Sequence, residues 1–282
     1  MRIKIIADSS CNLRTLSDIP FTTVPLKVIT AEREYVDDAS LDVHGMMDDL
    51  KTTKGQTRTS CPNVYEWKTA VGEADAAFFI TITGSLSGSF SAAENAAKEL
   101  LAENPRRQIS VINSLSTGPE MQLLIEKLQE LILSGLSFAE IDAAVRDYQA
   151  NTHLLFALQS MTNLARNGRV NPLVAKMASF LGIHAIGEAS PEGTLQMLHK
   201  VRGKQRTLQT ILDEMQKNGY CGGKVRIAHC RNEGAARELE NLIFTLYPNA
   251  PIEILPATAL CSFYAEEGGL LVGYESCLSA KP

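Results

Sequence analysis

Apolar positions in the first half of the chain fall into short runs that end in hydroxyl or amide residues, each followed by a longer stretch with helical spacing. Residues 3–7 (IKIIA) run into Asp8-Ser9-Ser10, residues 76–82 into Thr83-Gly84-Ser85-Leu86-Ser87-Gly88, and residues 109–113 into Ser114-Leu115-Ser116-Thr117-Gly118. The runs predict buried strands, and the stretches behind them, about 89–103 and 119–133, predict helices. In the second of these, apolar residues recur at 121, 124, 125, 128, 131 and 132, and Gly135 stops the pattern. Ser137 with Glu140 forms a capping box for a further helix to about Asn151. Asp42 is placed to cap a helix to about Lys51, and Pro62 to open one over 61–72. Residues 21–29 are extended, with Pro25 marking an edge or bulge, and 34–42 form a polar, hairpin-like link.

The second half mixes hairpin and crossover signals. Strands are predicted over 153–159, 185–188, 194–200, 224–230, 252–255 and 269–275, with Pro191-Glu192-Gly193 turning one hairpin. Helices are predicted over 204–217 and 234–247, with a helical turn at 161–165 and an apolar helix at about 172–181. The pattern gives an α/β fold of two domains: residues 1–152 with a largely parallel sheet, and 153–282 with a mixed sheet and helices.

Composition narrows the function. With 45% hydrophobic and 21% charged residues, the 282-residue chain is an ordinary globular sequence that can bury a large core. A net charge of −5 with no basic block argues against nucleic acid as a partner. No apolar stretch is long enough for stable membrane insertion, and the start is too soon charged for a signal peptide, so the cytoplasm is the default compartment. The six cysteines (11, 61, 221, 230, 261 and 277) show no CxxC pair, which favours reduced thiols over disulfides or zinc.

Known catalytic and cofactor signatures are missing. Gly84 and Gly88 fit neither a dinucleotide fingerprint nor a Walker loop. Gly84-Ser85-Leu86-Ser87-Gly88 is one residue out of register for a nucleophile elbow, and no partner for His153, His184, His199 or His229 as a base is readable. Asp37-Asp38 and Glu266-Glu267 read as solvated surface acids, and no metal is expected. What remains is recognition of an anion by neutral donors. Strand-to-helix loops gather hydroxyls and free amides at the carboxyl edge of a sheet, where α/β folds bind ligands. Thr59, Ser60, Ser85 and Ser87, the amides beside Gly88, and Arg169 in its Asn167-Gly168-Arg169 turn are the candidates for converging on a carboxylate.

These residues resemble the DegV family of bacterial fatty-acid-binding proteins. Asp8-Ser9 is similar to the family's opening D-S, and Tyr35-x-Asp37 to its Y-x-D. Thr59-Ser60-Cys61-Pro62 matches T-S-x-P, Ser85-Leu86-Ser87-Gly88-Ser89 resembles S-x-L-S-G-T, and residues 164–170 resemble L-x-x-G-G-R-I. The resemblance spans nearly the whole chain. It implies two α/β domains around a lipid tail, a carboxylate held by Thr59 and Ser87 with Ser60 and Ser85 nearby, and Arg169 as the family arginine. It also implies a non-catalytic subunit that carries a long-chain fatty acid for a separate ATP-dependent kinase, with no cofactor of its own. Two segments depart. Tyr264 stands in place of a histidine that contacts the ligand head region, with Glu266-Glu267 in place of Gly-Pro, and 113–118 keeps only half of D-S-x-x-x-S-x-G. Leu154, Phe156, Leu173, Met177, Phe180 and Leu181 are candidates for the tail sleeve. The alternatives are a serine-dependent acyl hydrolase or transferase using Ser87, and a binding module for another organic or isoprenoid acid.

Overall fold

The computed structural model describes residues 2–173 and 182–277. Three sheets organise the chain. The first has the order β2-β1-β6-β7, from Phe21–Val24, Ile3–Asp8, Ala76–Thr81 and Gln108–Asn113, and every pairing in it is parallel. Strand β6 (AAFFIT) is buried at every position, as a central parallel strand covered on both faces must be. Helix α1 (Val43–Thr52) starts at its Asp42 cap, as expected. Helices α2 (Val64–Val71) and α3 (Ser89–Glu103) pack with Trp67 and Phe79 in one cluster. Helices α4 (Pro119–Leu133) and α5 (Phe138–Gln149) cover the other face, where Phe78 stacks on Phe138.

The second sheet has six strands, which we label β8 (Thr152–Leu158), β9 (Ile183–Ala189), β10 (Leu195–Arg202), β11 (Tyr220–His229), β12 (Ile252–Pro256) and β13 (Leu270–Ser276). Their order is β10-β9-β8-β13-β11-β12. Only β11 and β12 pair in parallel, through the crossover helix α8 (Glu233–Leu246); the other neighbours are antiparallel, so the sheet is mixed as expected. Helix α7 (Lys204–Lys217) packs beside α8, and α6 (Thr162–Arg166) and α9 (Ala259–Ala265) complete the described α-helices.

The expected boundary at 152/153 falls one residue inside β8, and the cores interlock across it. Leu260 of α9 is buried in the first sheet's cluster, and a Cβ on Gly273 of β13 would meet the backbone at Pro119 and Glu120, so α4 lies directly against that strand. Arg226 of β11 grips Glu126 of α4 through Nε at 2.7 Å and Nη2 at 2.6 Å, a two-pronged pair that fixes the two halves in register.

Several expectations are corrected. The extended residues 27–29 pair with 34–36 and 58–60, where no strand is predicted, in a small antiparallel sheet of order β4-β3-β5. Such three-residue strands carry too little alternation to be read from sequence. Pro62 lies outside α2, whose start is set by the Asn63–Glu66 capping box. Helix α9 falls in a stretch for which the sequence pattern predicts no element. Asp37 is no surface acid: it is fully buried, accepts from Ser9 Oγ (3.0 Å) and from the Ala259 and Leu260 amides (3.1 Å each), and pairs with Arg14. It thereby ties the small sheet to the start of α9, whose free amides need an acceptor. Cys221 and Cys277 are bonded to each other, with Cα atoms 5.8 Å apart. Tyr220 pairs with Ser276 across β11 and β13, so the next residues face one another 56 positions apart in sequence, beyond any local spacing rule. The remaining cysteines are free. The predicted helix at 172–181 lies largely outside the described residues, as do Met177, Phe180 and Leu181.

Glu120 sits in the seam between the halves, fully enclosed, with Thr152 Oγ1 donating to its Oε1 at 2.8 Å. Burial raises its carboxyl from 4.5 to about 7, against the pull of its hydroxyl neighbours Ser116 and Thr152. The folded protein therefore holds a proton that the unfolded chain releases. The stability this confers is complete below about pH 4.5 and is lost as pH rises to about 7. Urea unfolding across that window will show wild type losing about 3 kcal/mol relative to Glu120→Gln, which has no proton to lose; parallel pH profiles for the two proteins would contradict the assignment.

Candidate functional site

The first sheet ends at the hydroxyl loop after β6, and one buried carboxylate holds that loop in place. Asp8, with no solvent exposure, accepts from the Ile82 amide (2.8 Å), Ser89 Oγ (2.7 Å), Ser10 Oγ (2.6 Å) and the Ser10 amide (3.3 Å). Burial pushes its pKa up and these donors pull it back. The end of β1 is thus fastened to the end of β6 and to the first residue of α3. Ser87 Oγ accepts from the Ser89 amide at 3.3 Å, a local cap where Gly88 at the N-cap supplies no side chain.

Beneath the loop lies a cavity of about 330 Å³. Its polar rim comprises Thr59, Ser60, Cys61, Ser87, Gly88, Arg169 and Tyr264, which are half-buried apart from the exposed Gly88. Its interior is apolar. Leu154, Phe156 and Leu158 alternate along one face of β8, and Leu271 pairs with Phe156 from β13. Leu86 and Leu260 line it from the loop and from α9.

Elements remote in sequence assemble the rim. Thr59 sits on β5, paired to Val28 of β3, and its Oγ1 lies 2.7 Å from Tyr264 Oη on α9. Burial pushes the Tyr264 phenol upward. The Arg169 guanidinium stands 5.9 Å from the Tyr264 ring centroid, and its Nε donates to the Leu86 carbonyl at 3.3 Å. Arg169 follows Gly168, whose φ of +73° closes the turn after α6, and the Arg169 amide returns to the Leu164 carbonyl at 2.8 Å.

Of the sequence candidates, Thr59, Ser60, Ser87, Gly88 and Arg169 meet at this rim, and so does Tyr264. Ser85 stands apart: its hydroxyl donates to the Glu192 carbonyl at 2.5 Å, and it does not line the cavity. Leu154 and Phe156 are in the wall, whereas Leu173 is 69% exposed and outside it. Leu158 is absent from the sequence candidates although the two-residue period of β8 points to it; Leu271 and Leu260 carry no sequence signal linking them to this place. Among the described residues that line the cavity none is a histidine, so none of them offers Ser87 an imidazole as base. Among the described residues no group of three or more His, Cys, Asp or Glu is arranged to hold a metal. Glu266 accepts from the Asn163 amide at 2.9 Å and Glu267 pairs with Lys51, so both acids have structural partners.

An interlocked pair of α/β units thus encloses an apolar cavity whose rim carries hydroxyls and one arginine. The chain belongs to the DegV family: the family model, described as an uncharacterised protein family, matches residues 2–276. A DegV domain-containing protein of Streptococcus pneumoniae is 44% identical over 279 residues, covering 98% of this chain and 99% of its own. The structure of the S. pneumoniae Fatty Acid Kinase (Fak) B3 protein loaded with linoleic acid has a TM-score of 0.96 at 44% identity, covering 98% of this chain and 99% of that one. A DegV family protein of Eubacterium eligens loaded with heptadecanoic acid has a TM-score of 0.95 at 40% identity, covering 97% and 99%.

Replacing Asp8 with Ala strands the Ile82 amide and the Ser89 hydroxyl in a buried site. Urea unfolding will register a loss of about 2–4 kcal/mol, and Asp8→Asn, which keeps an acceptor, will lose less. Equal, negligible losses for both would remove Asp8 from its place in the site.

Proposed function

We propose that this protein binds a long-chain fatty acid, with the carboxylate at Thr59, Ser60, Ser87, the Gly88 amide and Arg169 and the tail in the apolar cavity. The observation that carries the reading is the coincidence of a rim of neutral donors plus one arginine with an interior walled by Leu154, Phe156, Leu158 and Leu271. Each methylene withdrawn from water contributes about 0.8 kcal/mol, so a long chain supplies a gross term on the order of 10 kcal/mol before ordering costs. The rim need only orient the acid, and charge-assisted hydrogen bonds contribute about 1.5–3 kcal/mol each. Relatives of 40% and 44% identity were crystallised with fatty acids, and one of them carries the name of a fatty acid kinase protein. By that likeness the protein is a non-catalytic carrier that presents the carboxylate to a separate ATP-dependent kinase.

No helix among the described residues is long and apolar enough to cross a membrane. The carrier role calls for none, and we place the protein in the cytoplasm with its ligand shielded from water. A serine hydrolase using Ser87 fits less well, because none of the described residues lining the cavity offers the hydroxyl an imidazole as base.

Native mass spectrometry of the purified protein, followed by extraction, will release about one fatty acid per chain. Arg169→Ala and Thr59→Val will weaken fatty acid binding about ten- to hundredfold, measured by fluorescence displacement, and a serine-reactive fluorophosphonate will leave Ser87 unlabelled. A protein that is empty as purified and takes up no added fatty acid refutes the reading, and labelling at Ser87 would favour the hydrolase.

A further inference from the structure

The β9–β10 hairpin lies at the edge of the second sheet, since β10 has β9 as its single neighbour there. Its tip, residues 190–194, is braced from within. The Ser190 amide donates to the Thr194 carbonyl and the Gly193 amide to the Ser190 carbonyl, both at 2.8 Å, while Ser190 Oγ lies 2.9 Å from Thr194 Oγ1 and Glu192 Oε2. Behind it the pairing register of β9 and β10 shifts between Met197 and His199. The tip joins β10, paired along one side among the described residues, to β9, which pairs with β8 as far as Glu188.

This tip reaches across to the hydroxyl loop of the first sheet. Thr83 Oγ1 donates to the Gly193 carbonyl at 2.8 Å, and Ser85 Oγ to the Glu192 carbonyl at 2.5 Å. Gly193 has a φ of +75°, and a Cβ there would collide with Thr83 Oγ1, so the approach needs glycine. Ala189, Gly193, Thr194 and Leu195 line the cavity on one side of this seam, and Ile82, Thr83 and Leu86 line it on the other. The seam is made by these two side-chain bonds and by the approach of Gly193 to the Leu115 backbone, and the cavity lies directly behind it.

We infer that the hairpin tip is a gate over the acyl cavity, and that the Thr83 and Ser85 hydroxyls are the latch that holds it shut. This inference rests on the fatty-acid reading and adds how the ligand passes in and out. It also accounts for Ser85, whose hydroxyl holds the gate and does not hold the carboxylate. A latch that joins protein to protein and takes no part in holding the carboxylate raises the barrier to passage in both directions, so losing it speeds uptake and release together and leaves affinity nearly constant.

Stopped-flow fluorescence with cis-parinaric acid reads both rates on the full chain. Ser85→Ala will speed uptake and release about five- to tenfold, and Thr83→Val with Ser85→Ala will speed them further, with the equilibrium constant moving less than about threefold. Hydrogen exchange gives a second readout: amides of 189–195 will lose protection in Ser85→Ala while those of β11 keep theirs. Unchanged rates and protection in a double variant that melts like wild type overturn the gate. Weaker binding at an unchanged uptake rate also overturns it, and returns Ser85 to the carboxylate site. If wild type takes up no cis-parinaric acid or other fatty acid, the fatty-acid reading falls and the gate falls with it; uptake by wild type with rates insensitive to the latch refutes the gate alone.

Discussion

The binding site depends on a carboxylate that never touches the cavity. Asp8 ends the first strand with no solvent exposure, and its oxygens collect donors from the end of β6, from the start of α3 and from its own turn. A buried carboxylate without such partners would be strongly destabilising, so the chain around it has little freedom to rearrange. The loop carrying Thr83, Ser85, Ser87 and Gly88 is suspended between these fixed points. Its hydroxyls can therefore serve different neighbours: Ser85 and Thr83 the hairpin tip, Ser89 the carboxylate, and Ser87 the cavity rim.

Asp37 does for the small sheet what Asp8 does for the large one. By accepting the first amides of α9 it brings Tyr264 to Thr59, two residues from elements 205 positions apart. Arg169 then packs by the same ring. The rim is thus built on two buried acids, and its polar groups are held by the protein's own bonds, which lowers the ordering cost of binding. The apolar interior needs less precision, because burial of a hydrocarbon chain is non-directional.

The seam between the halves combines firm and yielding contacts. The Arg226–Glu126 pair and the backbone approach of Gly273 to α4 fix the two sheets in register. Glu120 lies in that seam with a proton it gives up near neutrality. The hairpin tip meets the first half through two hydroxyl–carbonyl bonds and the approach of Gly193 to the Leu115 backbone.

The sequence by itself determined the elements whose signals are local. Strands β1, β6 and β7 are legible as apolar runs ending in hydroxyl turns, α4 and α7 by period, and α5 by its capping box, because hydrophobic periodicity and caps act within a few residues. The hydroxyl loops and the Asn-Gly-Arg turn are visible for the same reason, and they lead to most of the rim. The tertiary structure decided what those residues do. Nothing local separates Ser85 from Ser87, yet one faces the Glu192 carbonyl and the other the cavity. Asp37 reads as a surface acid until a helix over 200 residues later presents its amides. The three-residue strands, the Cys221–Cys277 bond and the contribution of Leu260 and Leu271 to the cavity follow from pairing between distant segments. Pattern along a chain reports which face is buried; only the packed fold fixes which partner lies across from it.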